Sequence, residues 1–266
     1  VELSFWNLGR LLSAGIRREV PWFDPHLHGA GYWCWKPFIM LRELESLQEG
    51  DYLLYTDAGR PPGTLFRHSV QPLVQWLEEK GQDILPGVNI SYYTGDLSRW
   101  CKQSVFDALN LDIRDFEHSP LIQPTPCFLK KSEESVRILR EWMELCRQFS
   151  LVSSPTPEEK SRCRDNFADH THDQTLWSLV AAMNHLDCLY SGKGVIHLDG
   201  RHPFLRHPGF DDKDPDFFLG ELGAERVERP LLTFLSGVHH AIAFCEKAVN
   251  KLSKIAGLGP RKGFYG

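Results

Sequence analysis

Long apolar runs are missing from this 266-residue chain: no stretch of about 18 apolar residues occurs, so nothing in it reads as a membrane span. Paired cysteines are missing too. Cys34, Cys101, Cys127, Cys146, Cys163, Cys188 and Cys245 include no CxxC pair, which excludes a zinc knuckle and a dithiol redox motif. Cys127, Cys146, Cys188 and Cys245 lie among apolar neighbours and read as small buried hydrophobes. An odd, scattered set fits a reducing compartment, so the expectation is cytoplasmic, with the Golgi lumen as the alternative for a trimmed eukaryotic chain. A basic excess is also absent: 30 Lys and Arg face 35 Asp and Glu, for a net charge of -5. That balance argues against nucleic acid as a partner, while leaving room for a small anion held by two or three local cations. No basic-then-apolar leader follows Val1, which fits either no signal or a trimmed start.

What is present is ordinary globular material, 42% apolar and 24% charged, without internal repeats or low-complexity tracts. The length suits one large domain over residues 1–228, with residues 229–266 as a C-terminal helical extension of it. Phe38, Leu41, Leu44 and Leu47 recur at helical spacing after Pro37, and Gly50 is the expected stop. Tyr52 to Tyr55 is a continuous apolar run of strand length, as in a strand covered on both faces. Ser69 can cap a helix carrying Val70, Leu73, Val74 and Leu77, closed by Gly81. Ser132 can cap a longer one that buries Val136, Leu139, Met143 and Cys146, after a short strand over 125–129. Ser153 to Asp165, polar and with two prolines, reads as a mobile loop. A further helix from about Asp173 buries Leu176, Leu179, Val180 and Met183, and Gly194 to His197 reads as a late strand. The last helix spans roughly Leu231 to Ile255. Lys247, Lys251 and Lys254 follow its apolar stripe, as on a helix packed against the domain or lying on an anionic membrane surface.

Chemistry concentrates at a few points. Asp57 leaves an apolar strand at Asp57-Ala58-Gly59, the strand end at which α/β sheets bind ligands. It reads as a ligand to a divalent cation or a ribose, or as a simple turn cap. His172-Asp173-Gln174 opens an apolar helix, where Asp173 is either an N-cap or a site residue. His197 ends a short apolar strand before a glycine turn and is either a metal or phosphate ligand or a core histidine. Lys36 sits at a helix N-terminus, an unfavourable place for a cation unless both serve an anion such as a diphosphate. Lys102 is a weaker candidate of the same kind, and for each lysine a solvated side chain is the alternative. His26 and His28 form the His-x-His of metal-dependent hydrolases, but too few later strands follow for such a barrel. The acidic stretch Asp211 to Asp216 has Pro where a calcium loop needs alternation and reads as a solvated loop.

In chain order, Gly31-Tyr32-Trp33-Cys34-Trp35-Lys36-Pro37, Gly50-Asp51 leading to Tyr55-Thr56-Asp57-Ala58-Gly59, Trp100-Cys101-Lys102 and His172-Asp173-Gln174 make a recognisable series. It resembles a group of glycosyltransferase-like proteins with GYWxWKP, GDxxxYxDxG, WxK and HDQ motifs, and more distantly the glycogenin-like glycosyltransferase family 8. In that family a strand ends in Asp-x-Asp, a later Asp-Gln opens a helix, and a His-x-x-Gly segment follows. Asp57, Asp173-Gln174 and His197 to Gly200 match in that order, and the resemblance covers roughly residues 31–203. It implies an α/β fold of GT-A type, a Rossmann-like mixed sheet flanked by helices. It further implies hexosyltransferase-like transfer, with retention, from a nucleoside diphosphate sugar to a glycan, lipid-linked or protein acceptor. Trp35, Lys36, Asp57, Gly59, Lys102, His172 and His197 would bind the donor, with Asp173 and Gln174 beside the anomeric carbon as the catalytic pair. Asp57 and His197 would hold a divalent cation such as Mn or Mg. Gly59 stands where the family has its second Asp, and the stretch before Gly31 is short for the first nucleotide-binding strand and helix. These departures leave metal dependence open and keep a non-catalytic nucleotide-sugar-binding module as the alternative, alongside the hydrolase built on His26 and His28.

Overall fold

A computed structural model describes residues 4–55, 71–89, 96–188, 196–197 and 203–204, all within one compact unit. Asp57, Gly59, Ser69, the acidic loop from Asp211 and the extension over 229–266 lie outside the described residues.

Helices and a small antiparallel sheet make up this unit, α/β in the broad sense. The helices used below are α1 (Leu8–Ser13), α2 (Ile16–Glu19), α3 (Trp35–Ser46), α4 (Gln71–Lys80), α5 (Gln103–Leu109), α6 (Glu133–Arg147), α7 (Phe149–Val152), α8 (Pro157–Ser161) and α9 (Asp173–Met183). Strands β1 (Tyr52–Tyr55), β2 (Ile84–Leu85) and β5 (Cys127–Lys130) form one sheet in the order β1-β5-β2, with β5 antiparallel to both neighbours. β1 and β2 therefore run the same way, with α4 between them in sequence and β5 between them in space. Short ladders pair β3 (Val88–Asn89) with β4 (Ile122–Gln123) and β6 (Ile196–His197) with β7 (Pro203–Phe204).

The core grows from helical stripes. On α3, Phe38, Ile39, Met40, Leu41 and Leu44 are buried, and α3 packs on α6, which packs in turn on α9. Ser132 caps α6 as its spacing predicts, in a reciprocal pair with Ser135, and Glu133 and Glu134 occupy the dipole-favoured first turn. Trp142 of α6 and Trp177 of α9 stack at 4.5 Å between centroids, and each indole N–H is satisfied, by the carbonyls of Asp173 and Pro86 respectively.

Four expectations change. α3 ends at Ser46 rather than at Gly50: Leu47 turns extended, and Gly50, at φ +88°, instead shapes the turn whose N–H donates to the Lys131 carbonyl. β1 is an edge strand among the described residues, so Tyr52 stays partly exposed while stacking on Phe128, whereas Cys127, Phe128 and Leu129 of central β5 are buried. Met183, at the frayed end of α9, is exposed. Finally, the stretch predicted as a mobile loop contains α8. Thr156 accepts from the Glu159 N–H while Glu159 accepts from the Thr156 N–H, with Pro157 at the first helical position.

The six described cysteines are free thiols. Cys34, Cys101, Cys127 and Cys146 are buried and Cys163 is half-buried; Cys188, expected to be buried, is half-buried near the end of the described stretch, and Cys245 lies outside the described residues. No helix among the described residues is long and apolar enough to cross a membrane.

Candidate functional site

Two backbone departures build the site. Gly29, Ala30, Gly31, Tyr32 and Trp33 all have positive φ, from +51° to +90°, so the segment His28–Tyr32 is a left-handed turn leading into α3. A left-handed conformation costs about 1–2 kcal/mol at each non-glycine position. Gly29 is required there by contact as well as by φ, because a Cβ would lie 2.4 Å from the Trp33 ring. The Trp35 indole N–H ties the turn down by donating to the Gly29 carbonyl at 3.3 Å. The second departure is His172, at φ 56° and ψ -122°, immediately before α9. Asp173 is thus the first residue of α9 rather than its N-cap, and no side chain caps that helix end.

These segments meet at an ion pair. Lys36 Nζ lies 3.5 Å from Asp173 Oδ2, with the side chains only 9% and 3% exposed. Buried charges of this kind persist only when paired and hydrogen-bonded. Thiols line the pair: burial pushes Cys34 and Cys146 up, and the Asp173 charge adds to the rise at both.

The Trp100-Cys101-Lys102 segment is sewn to the same helix end. The Trp100 carbonyl accepts from the Thr175 hydroxyl at 2.6 Å and from the Thr171 N–H at 3.4 Å. Lys102 itself is fully buried, its ammonium donating to the Ser153 carbonyl at 3.1 Å and facing Glu159 Oε1 at 3.3 Å. Burial opposes the Glu159 charge, but hydrogen bonds from Ser104 and Thr156 and the Lys102 ammonium hold its carboxyl below the usual range.

Two histidines complete the wall. His170 Nε2–H donates to the Leu151 carbonyl at 2.8 Å and His172 Nδ1–H to the Val152 carbonyl at 2.9 Å. Carbonyl acceptors require N–H at those atoms, leaving His170 Nδ1 and His172 Nε2 as lone pairs. His170 Nδ1 is buried with no hydrogen-bond partner. Burial lowers both histidines, His170 well below the ordinary value, and the Lys102 charge lowers them further. Gln174 is half-buried, and its side-chain amide forms no hydrogen bond among the described residues.

Of the predicted site residues, Trp35, Lys36, His172, Asp173 and Gln174 therefore gather where the left-handed turn meets the start of α9. Lys102 belongs to the segment that the Trp100 carbonyl ties to α9, and its own ammonium is engaged by Ser153 and Glu159. Asp57 and Gly59 fall outside the described residues, and His197 is described only as a backbone position opposite Pro203. Among the described residues no group of three His, Cys, Asp or Glu side chains could hold a metal ion, and His26 and His28 stand in none. Glu159 and the left-handed turn are the parts that sequence reading missed, although Thr156-Pro157-Glu158-Glu159 carried a capping signal for Glu159. His170 entered that reading only through its spacing, two residues from His172 and so on the same side of an extended segment, and not as a site residue. No protein-family model, curated protein or solved structure matches the chain.

Proposed function

We propose that this protein transfers a sugar from a nucleoside diphosphate sugar, on a fold of GT-A type. The observation that carries the reading is the buried Lys36–Asp173 pair. It brings into contact two motifs about 137 positions apart that the resemblance assigns to one donor site. In such a site a lysine beside the departing diphosphate offsets negative charge where it develops during transfer. A carboxylate and an amide at a helix start, as in Asp173 and Gln174, suit orienting the hydroxyls of donor or acceptor.

A second reading, a binding module that holds the donor without transfer, is favoured by Lys102. Its ammonium is fully buried and already engaged, which removes one cation from reach of a diphosphate. Calorimetric titration with a panel of nucleoside diphosphates, with and without Mn²⁺, tests the shared premise. Binding by at least one is expected, and binding by none overturns both readings. Release of nucleotide from a donor sugar then separates transferase from module.

A further inference from the structure

Beside the ion pair, the left-handed turn and α7 present a connected set of rings. Trp22 meets Phe149 at 5.3 Å between centroids, and Phe149 meets Tyr32 at 6.0 Å. Tyr32 meets His172 at 4.6 Å, His172 meets His28 at 5.4 Å, and His28 meets Trp33 at 4.9 Å. This is not a sealed core. Phe149 is 44% exposed, His28 is exposed, and Trp22, Tyr32 and Trp33 are half-buried.

The polar handles on these rings differ in a telling way. The Trp22 indole N–H is used, donating to the Arg147 carbonyl at 2.7 Å. The Tyr32 hydroxyl, the Trp33 indole N–H and both His28 ring nitrogens form no hydrogen bond among the described residues. His172 keeps Nε2 as a lone-pair acceptor, its Nδ1–H being held by Val152. The set thus offers exposed ring surface, at least one donor and one acceptor, and no carboxylate, lysine or arginine among its members.

Backbone strain falls on the same residues. Tyr32 and Trp33 hold positive φ without being glycine, and His172 sits at φ 56° with ψ -122°. Strain of this kind persists where the surroundings over-determine it, and it clusters at ligand sites. Here it presents three of the six rings to one another from two segments far apart in the chain.

We propose that this ring cluster is the subsite for a neutral pyranose, the acceptor sugar of the transfer reaction. A pyranose carries C–H faces that lie against aromatic rings, and hydroxyls that need neutral donors and acceptors at the edge. Rings with polar tips supply both, and a set without carboxylate, lysine or arginine suits a ligand without charge. The acceptor role rests on the transferase reading; recognition of the sugar does not.

Saturation-transfer NMR with methyl glycosides of glucose, galactose and mannose, and with α-1,4- and β-1,4-linked disaccharides of glucose, tests the subsite on the full chain. At least one glycoside is expected to receive saturation on its ring C–H protons. Phe149→Ala, at an exposed position, and Tyr32→Ala should each weaken that glycoside about tenfold or more, and Tyr32→Phe about threefold. Uridine diphosphate affinity should stay within about twofold in Phe149→Ala, and unchanged circular dichroism of all three excludes misfolding. Absence of binding by every glycoside, or glycoside binding unchanged in Phe149→Ala and Tyr32→Phe, overturns the proposal. So does tetramethylammonium taking the site in place of the sugars. Glycoside binding without any nucleotide binding keeps the sugar site and removes the transferase reading, whereas nucleotide binding without glycosides does the reverse.

Discussion

At the scale of single residues, the informative question is what the Lys36–Asp173 pair does. Lys36→Met removes the ammonium beside a buried carboxylate, for which about 3–5 kcal/mol of lost stability is the ordinary cost. Lys36→Met/Asp173→Leu removes both charges and should recover most of that loss in urea unfolding, because two apolar chains replace the ion pair and neither of its charges stays buried alone. Donor turnover should stay lost in the double variant, and recovered turnover would make the pair purely structural. The histidines give a second residue-scale test. His170 and His172 have lowered folded values, so on acidification the unfolded chain takes up protons first. Their contribution is complete above about pH 6.5 and is lost as pH falls toward their folded values, by up to ~1.4 kcal/mol per pH unit for each. Urea unfolding between pH 7 and 5 should show this slope, and His170→Asn should reduce it. Lys36, His172 and Asp173 were legible as site residues because each breaks a local rule, a cation at a helix start or a polar trio on an apolar helix. His170 broke none, since its importance arises only when α7 and the Lys102 charge close around it.

At the scale of elements, periodicity placed the bodies of α3, α6 and α9 and a Ser cap placed the start of α6, because 3.6-residue spacing and a capping Ser are local facts. The exposure of β1 was not local: an apolar tetrapeptide reads alike whether one face or two is covered, and none of its four residues is fully buried. The short helix α8 offers the test at this scale. Thr156→Ala removes one half of the capping pair and should cost about 1 kcal/mol, seen as faster hydrogen exchange over 157–161. Glu159→Ala should cost more, because it also leaves the fully buried Lys102 ammonium with Ser153 as its remaining described partner. A smaller effect from Glu159→Ala than from Thr156→Ala would mean that the ammonium is satisfied elsewhere.

At the scale of the whole unit, helix periodicity foretold a helix-rich core, but not that its sheet would be antiparallel with β5 in the middle. Strand order depends on contacts between segments about 40 to 80 residues apart, which single-strand patterns do not encode. The Trp142–Trp177 stack is the hub of that core, tying α6 to α9 and, through the Asp173 carbonyl, to the site. Trp142→Phe should cost about 2–4 kcal/mol in denaturant unfolding, from the lost ring volume and the lost indole hydrogen bond. Turnover should fall with it if the stack holds Asp173 in place. The thiols carry a consequence of their own. Thiolates are the nucleophiles that attack alkylating reagents, and burial pushes Cys34, Cys101, Cys127 and Cys146 far from that form. Cys163, half-buried and donating to the Glu159 carbonyl, should therefore be alkylated at a rate set by fraying next to α8. The four sealed sulfurs should react only when the core opens, which gives the chain built-in reporters of local and of global opening.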